Sequence, residues 1–105
     1  TVPTLIFDEV DSGIGGAVAA AVGERLAKLA ESTQVLTITH SPQVASYGTQ
    51  HLQITKSEKK GIIKTEVAIL SASERKEEIA RMLAGTKITK EARAAAARLL
   101  DRDKP

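Results

Sequence analysis

Three side chains in this sequence have the types and places for chemistry: Asp8, Glu9 and His40. Asp8 and Glu9 close the apolar run Leu5-Ile6-Phe7 and lead into Val10-Asp11. One residue apart, the two carboxylates are aimed differently. The first suits Mg²⁺, a hard cation that takes oxygen ligands and keeps much of its water. The second can orient or deprotonate a water that attacks a γ-phosphate. His40 ends the next apolar run, Val35-Leu36-Thr37-Ile38-Thr39, and an imidazole there can hydrogen-bond a phosphate oxygen and the same water. Each feature alone has an ordinary explanation, an acidic strand end in a solvated turn or a histidine that satisfies backbone groups. Their coincidence at two strand ends favours a site.

The elements that must position these residues can be read from the pattern. Leu5-Ile6-Phe7 is continuous rather than alternating, as in a parallel strand buried on both faces. Ser12-Gly13-Ile14-Gly15-Gly16 is a turn-rich loop, and 17–31 reads as a helix with Val18, Val22, Leu26 and Leu29 on its apolar face. A second strand over 34–39 completes a βαβ unit, which as a parallel pair brings His40 to the same edge as Asp8 and Glu9. In open α/β sheets that carboxyl edge is where ligands bind. Ser41-Pro42 starts a short helix ending near Gly48. Strands follow around 50–56 and 62–70, joined by a turn over 57–61. Ser71 or Ser73 caps a helix through Ile79, Met82 and Leu83 that Gly85 stops. Thr89 caps a last one with the stripe Ala92, Ala95, Ala96, Leu99, Leu100. The fold class is α/β: a parallel βαβ core, then a hairpin and two C-terminal helices.

Composition narrows the classes. The 105 residues carry a formal net charge of +2 from 15 basic and 13 acidic side chains, which is no histone-like footprint for nucleic acid. No cysteine is present, which removes disulfides, zinc-thiolate sites and thiol nucleophiles. No apolar run approaches the roughly 20 residues of a membrane span, so a soluble, intracellular protein is expected. Phe7 and Tyr47 are the only aromatic residues, so the core must be built from Ala, Val, Ile and Leu, as in a piece of something larger.

The block from Leu5 to Gly16 and the block from Val35 to Ala45 together resemble the ABC-type ATPase head of the SMC-like proteins, most closely its bacterial double-strand-break repair branch. The ending Glu77 to Gly85, with Ile88-Thr89 and the Ala-rich helix to Leu100, resembles the same branch, so the likeness covers nearly the whole chain. By this resemblance Asp8 matches the Walker B aspartate of the Mg²⁺ site, Glu9 the catalytic glutamate and His40 the switch histidine. Asp11, Ser12 and Gly13 fall in the D-loop, which in that family lies along the dimer interface. The resemblance implies ATP and Mg²⁺ as cofactors, the upstream N-terminal part of the same head as partner, and a head-to-head homodimer with ATP sandwiched. DNA would be engaged through the full-length protein, with no membrane, in the bacterial cytoplasm at the nucleoid.

The chain has no G-x-x-x-x-G-K-[ST] phosphate loop, no glutamine loop and no Leu-Ser-Gly-Gly signature. Residues 1–105 therefore read as the C-terminal lobe of such a head, inactive by itself. Two alternatives stand: a non-catalytic docking lobe, or the head of another SMC-like or ABC ATPase. A transporter head would more typically show Ser-Ala-Leu-Asp after the glutamate, where this chain has Val10-Asp11-Ser12-Gly13. His51 reads as a surface or edge residue, Met82 as core, and Ser12 as a phosphate-side hydroxyl or a turn former. Lys59-Lys60, Arg75-Lys76, Arg93, Arg98 and Arg102 read as solvated rather than DNA-facing, because Glu74, Glu77, Glu78 and Glu91 dilute them.

Overall fold

The computed structural model describes residues 3–101. The opening Thr1-Val2 and Arg102 of the basic set lie outside them. Strand β1 (Thr4–Asp8) is followed by helix α1 (Gly16–Leu29) and strand β2 (Gln34–Ile38), and the two strands pair in parallel with Ile6 opposite Leu36 and Asp8 opposite Ile38. The expected βαβ unit is therefore present. The short helix α2 (Pro42–Ala45) has Pro42 at its first turn, and the Ser41 hydroxyl accepts from the Val44 N–H as its cap.

Strands β3 (Leu52–Lys59) and β4 (Ile62–Ile69) form an antiparallel hairpin in a second sheet. Strand β3 runs further toward the tip than the sequence pattern suggests, while β4 starts at Ile62 as expected, leaving Lys60 and Gly61 as the turn. Both residues have positive φ, 53° and 76°. A two-residue turn of that hand matches the strand twist, and the ladder extends through Ser57-Glu58-Lys59 in place of the five-residue loop expected there.

Helix α3 (Ala72–Ala84) starts at a capping box. The Ser71 hydroxyl accepts from the Glu74 N–H, and the Glu74 carboxylate accepts from the Ser71 N–H at 2.9 Å. Ser71 rather than Ser73 is the cap. Gly85 ends the helix at φ +85°, in the region glycine enters without Cβ strain. Helix α4 (Lys90–Asp101) is opened by the Thr89 hydroxyl, which accepts from the Ala92 N–H at 3.0 Å. These two helices hold the core cluster of Ile79, Ala80, Ala92 and Ala96, with Met82, Leu83, Leu99 and Leu100 packed against it, as the periodicity indicates.

Two further expectations fail in the βαβ unit. Helix α1 buries Ala19 and Gly23, while Val18 and Leu29 stay exposed. The reason is packing: Tyr47 lies directly over Gly23, so the helix turns its small residues toward α2. Strand β1 is not covered on both faces. Among the described residues its sheet has two strands, and Ile6 (67% exposed), Leu36 and Ile38 line an open face.

Candidate functional site

The parallel register does what the sequence requires of it: the loops after β1 and β2 leave the sheet side by side. Glu9 extends the ladder by one bond, its N–H donating to the Ile38 carbonyl at 2.8 Å. Its φ of +52° is left-handed, which costs a non-glycine residue on the order of 1 kcal/mol. The ladder bond and the Ser12 N–H, which donates to the Glu9 carbonyl at 3.1 Å, hold that conformation. The backbone reversal brings the Glu9 side chain to His40, whose Nε2 lies 3.1 Å from Glu9 Oε1. The pair stands in solvent, with the His40 side chain 90% and the Glu9 side chain 48% exposed. An exposed contact of this kind contributes less than about 1 kcal/mol, so it separates readily when a better partner arrives.

Glu9, Asp11, Ser12, Gly13, His40 and Ser41 line one open concavity of about 260 Å³. Five of the six residues singled out in the sequence thus meet at one place. The sixth, Asp8, is an exposed carboxylate at the end of β1 and does not line it. Ser12 and Gly13 are exposed, and Gly13 has φ +79° with open space where a Cβ would stand. Asp11 behaves differently from its neighbours. It is 7% exposed, and its Oδ2 accepts a hydrogen bond from the Thr39 hydroxyl. Its carboxylate therefore faces inward, while its loop neighbours Ser12 and Gly13 are open to solvent.

Sequence reasoning missed Thr39 and Gln43. Thr39 bonds Asp11 and also accepts from the Ser41 N–H at 2.9 Å. The Gln43 amide lies 3.4 Å from where a Gly16 Cβ would be, which sets the first turn of α1 beside α2. The available signal was a Thr and a Ser flanking His40, both residue types that bond to nearby backbone.

Behind α2, Arg75 of α3 is turned inward: its Nη2 donates to the carbonyls of Ala45 at 3.1 Å and Ser46 at 3.2 Å, and to that of Gly48. Arg75 is thus a clamp on the C-terminal end of α2 rather than a member of a solvated face. Arg93 is likewise engaged, with Glu77 at 2.9 Å. His51 is half-buried beside Arg75 and Glu78 instead of lying at a free edge. Burial first, and the Arg75 charge second, hold its imidazole below the usual histidine range.

The donor set fits Mg²⁺ in one way only. Among the described residues no group of three or more His, Cys, Asp or Glu side chains converges on a metal site. An exposed carboxylate such as Asp8 can contribute one ligand to an ion that draws its others from water and phosphate, which is the usual Mg²⁺ arrangement. No described helix is long and apolar enough to cross a membrane.

Comparison with known proteins bears on the fold and the relatives of the chain. No family model matches the chain. The DNA repair protein RecN of Xylella fastidiosa (strain 9a5c) is 54% identical over 100 residues, covering 95% of this chain and 18% of that protein. RecN of Rickettsia felis is 50% identical over 98 residues, and RecN of Streptomyces coelicolor 45% over 100. A solved SMC ATPase structure, from work on ATP-driven dimerization and DNA-stimulated activation, superposes with a TM-score of 0.62 over 78% of this chain and 48% of that one, at 18% identity. The chain is thus similar to one part of the RecN proteins, spanning 18% of the length of the relatives it matches, and has the fold of the C-terminal lobe of an ABC/SMC-type head.

Proposed function

We propose that residues 1–105 form the C-terminal lobe of a RecN-type ATPase head acting in DNA double-strand-break repair and recombination. In this reading the lobe supplies the water-activating half of an ATP site and leaves the phosphate cradle to the rest of the head. The observation that carries it is the pairing of Glu9 Oε1 with His40 Nε2 at 3.1 Å, on the open edge of a parallel sheet.

Glu9 is the base that accepts a hydrogen bond from the attacking water and orients it. His40 gives up its weak bond to Glu9 and donates from the same nitrogen to a γ-phosphate oxygen. The water is thereby placed between the carboxylate and the phosphorus, and positioning of this kind is most of what phosphoryl transfer asks of a protein. Asp8 would be the protein ligand of Mg²⁺, which when bound neutralises charge on the phosphate oxygens. In this reading Ser12 and Gly13, exposed at the concavity, would meet a second head across a dimer interface with ATP between the two. DNA would be held by the full-length protein, in the bacterial cytoplasm.

The test is ATP turnover in Mg²⁺ by the chain alone and after assembly with the remaining part of a RecN head. Turnover is expected only in the assembled head. Turnover by the isolated chain, or none in a demonstrated assembly, contradicts the reading. A second reading, a docking lobe without catalysis, is favoured by the open apolar face of Ile6, Leu36 and Ile38. It would be left standing by the second of those outcomes.

A further inference from the structure

The loop that carries Glu9 and the loop that carries His40 belong to different βα connections, and the last ladder bond between them, from the Glu9 N–H to the Ile38 carbonyl, does not reach past Ile38 to hold the His40 loop. One hydroxyl does. Thr39 Oγ1 has a single proton and two lone pairs. A backbone N–H can only donate and an ionised carboxylate can only accept, so the Ser41 N–H at 2.9 Å fixes Thr39 as the acceptor there and as the donor to Asp11 Oδ2. The hydroxyl's only proton is committed and its orientation is fixed. It joins the residue after His40 to the carboxylate two residues after Glu9.

Both ends of this relay are themselves held. On one side Asp11 is buried, its carbonyl accepts from the Ile14 N–H at 3.4 Å, and the Ser12 N–H returns to the Glu9 carbonyl at 3.1 Å. On the other, the Ser41 hydroxyl caps α2 through the Val44 N–H at 3.4 Å and donates to Gln43 Oε1 at 3.0 Å. The His40 side chain itself is almost wholly exposed, so side-chain packing does little to place it. Its position opposite Glu9 is set through the backbone, by the two residues that flank it. Both of those residues hang on Thr39 Oγ1.

We propose that Thr39 is the positioning residue of this site: its hydroxyl, anchored on Asp11, sets the His40 loop against the Glu9 loop. Movement at the exposed Ser12-Gly13 rim is then passed to His40 through Asp11. The inference rests on the proposed function for its consequence in turnover, but its structural content is independent of it.

Two variants separate the hydroxyl from the shape of the side chain. Thr39→Val keeps the volume and removes the relay, whereas Thr39→Ser keeps the relay and loses a methyl. In the 105-residue chain, amide exchange followed by NMR should show Ser41 protected, and Thr39→Val should speed that exchange by about tenfold or more. The same substitution should shift the Ser12 and Gly13 amide signals, and Thr39→Ser should restore all three. Should Thr39→Val fail to fold, the parent chain still decides. A Ser41 amide that exchanges as fast as an open loop overturns the proposal. So do unmoved Ser12 and Gly13 signals in a folded Thr39→Val chain.

In a RecN protein carrying this chain in place of its own matching segment, Thr39→Val should lower kcat by about 10- to 100-fold with KM changed less than about twofold, and Thr39→Ser should recover most of it. Equal loss in both variants, or a loss confined to KM, overturns a positioning role. A Glu9→Gln version run in parallel separates the two ideas. If it keeps full turnover, the proposed function fails, while the amide measurements still judge Thr39.

Discussion

Gly23 is where helix α1, which leaves the Glu9 loop, touches the chain just past α2, which leaves the His40 loop. A methyl group there would lie 2.4 Å from Tyr47 Cδ2, 3.1 Å from Cε2 and 3.2 Å from Cγ. Ordinary carbon contacts lie at about 3.5–4.0 Å, so the shortest approach is too close by roughly 1 Å. The obstructing atoms include Cγ, near the root of the side chain, so a small swing of the ring tip does not relieve them. Gly23→Ala therefore combines an overpacking cost of about 1–3 kcal/mol with a helix-propensity gain of about 0.8–1 kcal/mol. The net is a loss of up to about 2 kcal/mol, or a Tm lower by as much as about 10 °C for a domain of this size. In a Tyr47→Ala background the obstruction is gone and only the propensity gain remains. There Gly23→Ala should raise Tm by several degrees, relative to Tyr47→Ala alone. Thermal melts followed by circular dichroism on the four proteins of this cycle give the coupling directly. If Gly23→Ala stabilises the chain equally in both backgrounds, the close approach of α1 to Tyr47 is wrong, and with it the account of why α1 buries Ala19 and Gly23.

Two further outcomes concern the clamp behind the site and the cap of α3. The imidazole of His51 is held below the usual histidine range by burial and by Arg75, so the folded state prefers it neutral. Its contribution to stability is fully present above about pH 6.5, the unfolded value, and is lost as pH falls from there toward the folded value. Tm should therefore drop between pH 7.5 and pH 5, and His51→Gln should flatten that drop; an unchanged slope would assign the titration elsewhere. Ser71→Ala removes the hydroxyl of the capping box and should cost about 1 kcal/mol in urea unfolding, with the slope of the transition unchanged. A loss of less than about 0.3 kcal/mol would mean that Glu74 alone sustains the cap.

The parts of this fold that were legible in the sequence are those fixed by local rules. Ser41-Pro42, Ser71 with Glu74, Gly85 and Thr89 mark helix ends through backbone bonds reaching no further than a turn, and the structure has those ends. The parallel register brought Glu9 and His40 together because both follow apolar strands of equal length. What failed depended on long-range packing. The face of α1 was read from its larger apolar residues, but Tyr47, well separated in sequence, selects the small ones. Arg75 and His51 looked like surface residues because nothing local reveals that a guanidinium will find the carbonyls of Ala45, Ser46 and Gly48. Asp11 was legible as part of the loop but not as its inward anchor, since its partner Thr39 comes from the other βα connection.

The central claim is that Glu9, turned toward His40 by its left-handed backbone, activates the water in an assembled head. The most direct measurement is single-turnover ATP hydrolysis in Mg²⁺ by a RecN protein carrying this chain in place of its own matching segment, with and without Glu9→Gln. Glu9→Gln should leave ATP binding within about twofold and slow hydrolysis by about 10²- to 10⁴-fold, the usual worth of a positioned general base. Hydrolysis at the parent rate with ATP bound would contradict the assignment and leave the lobe a structural support for chemistry carried out elsewhere.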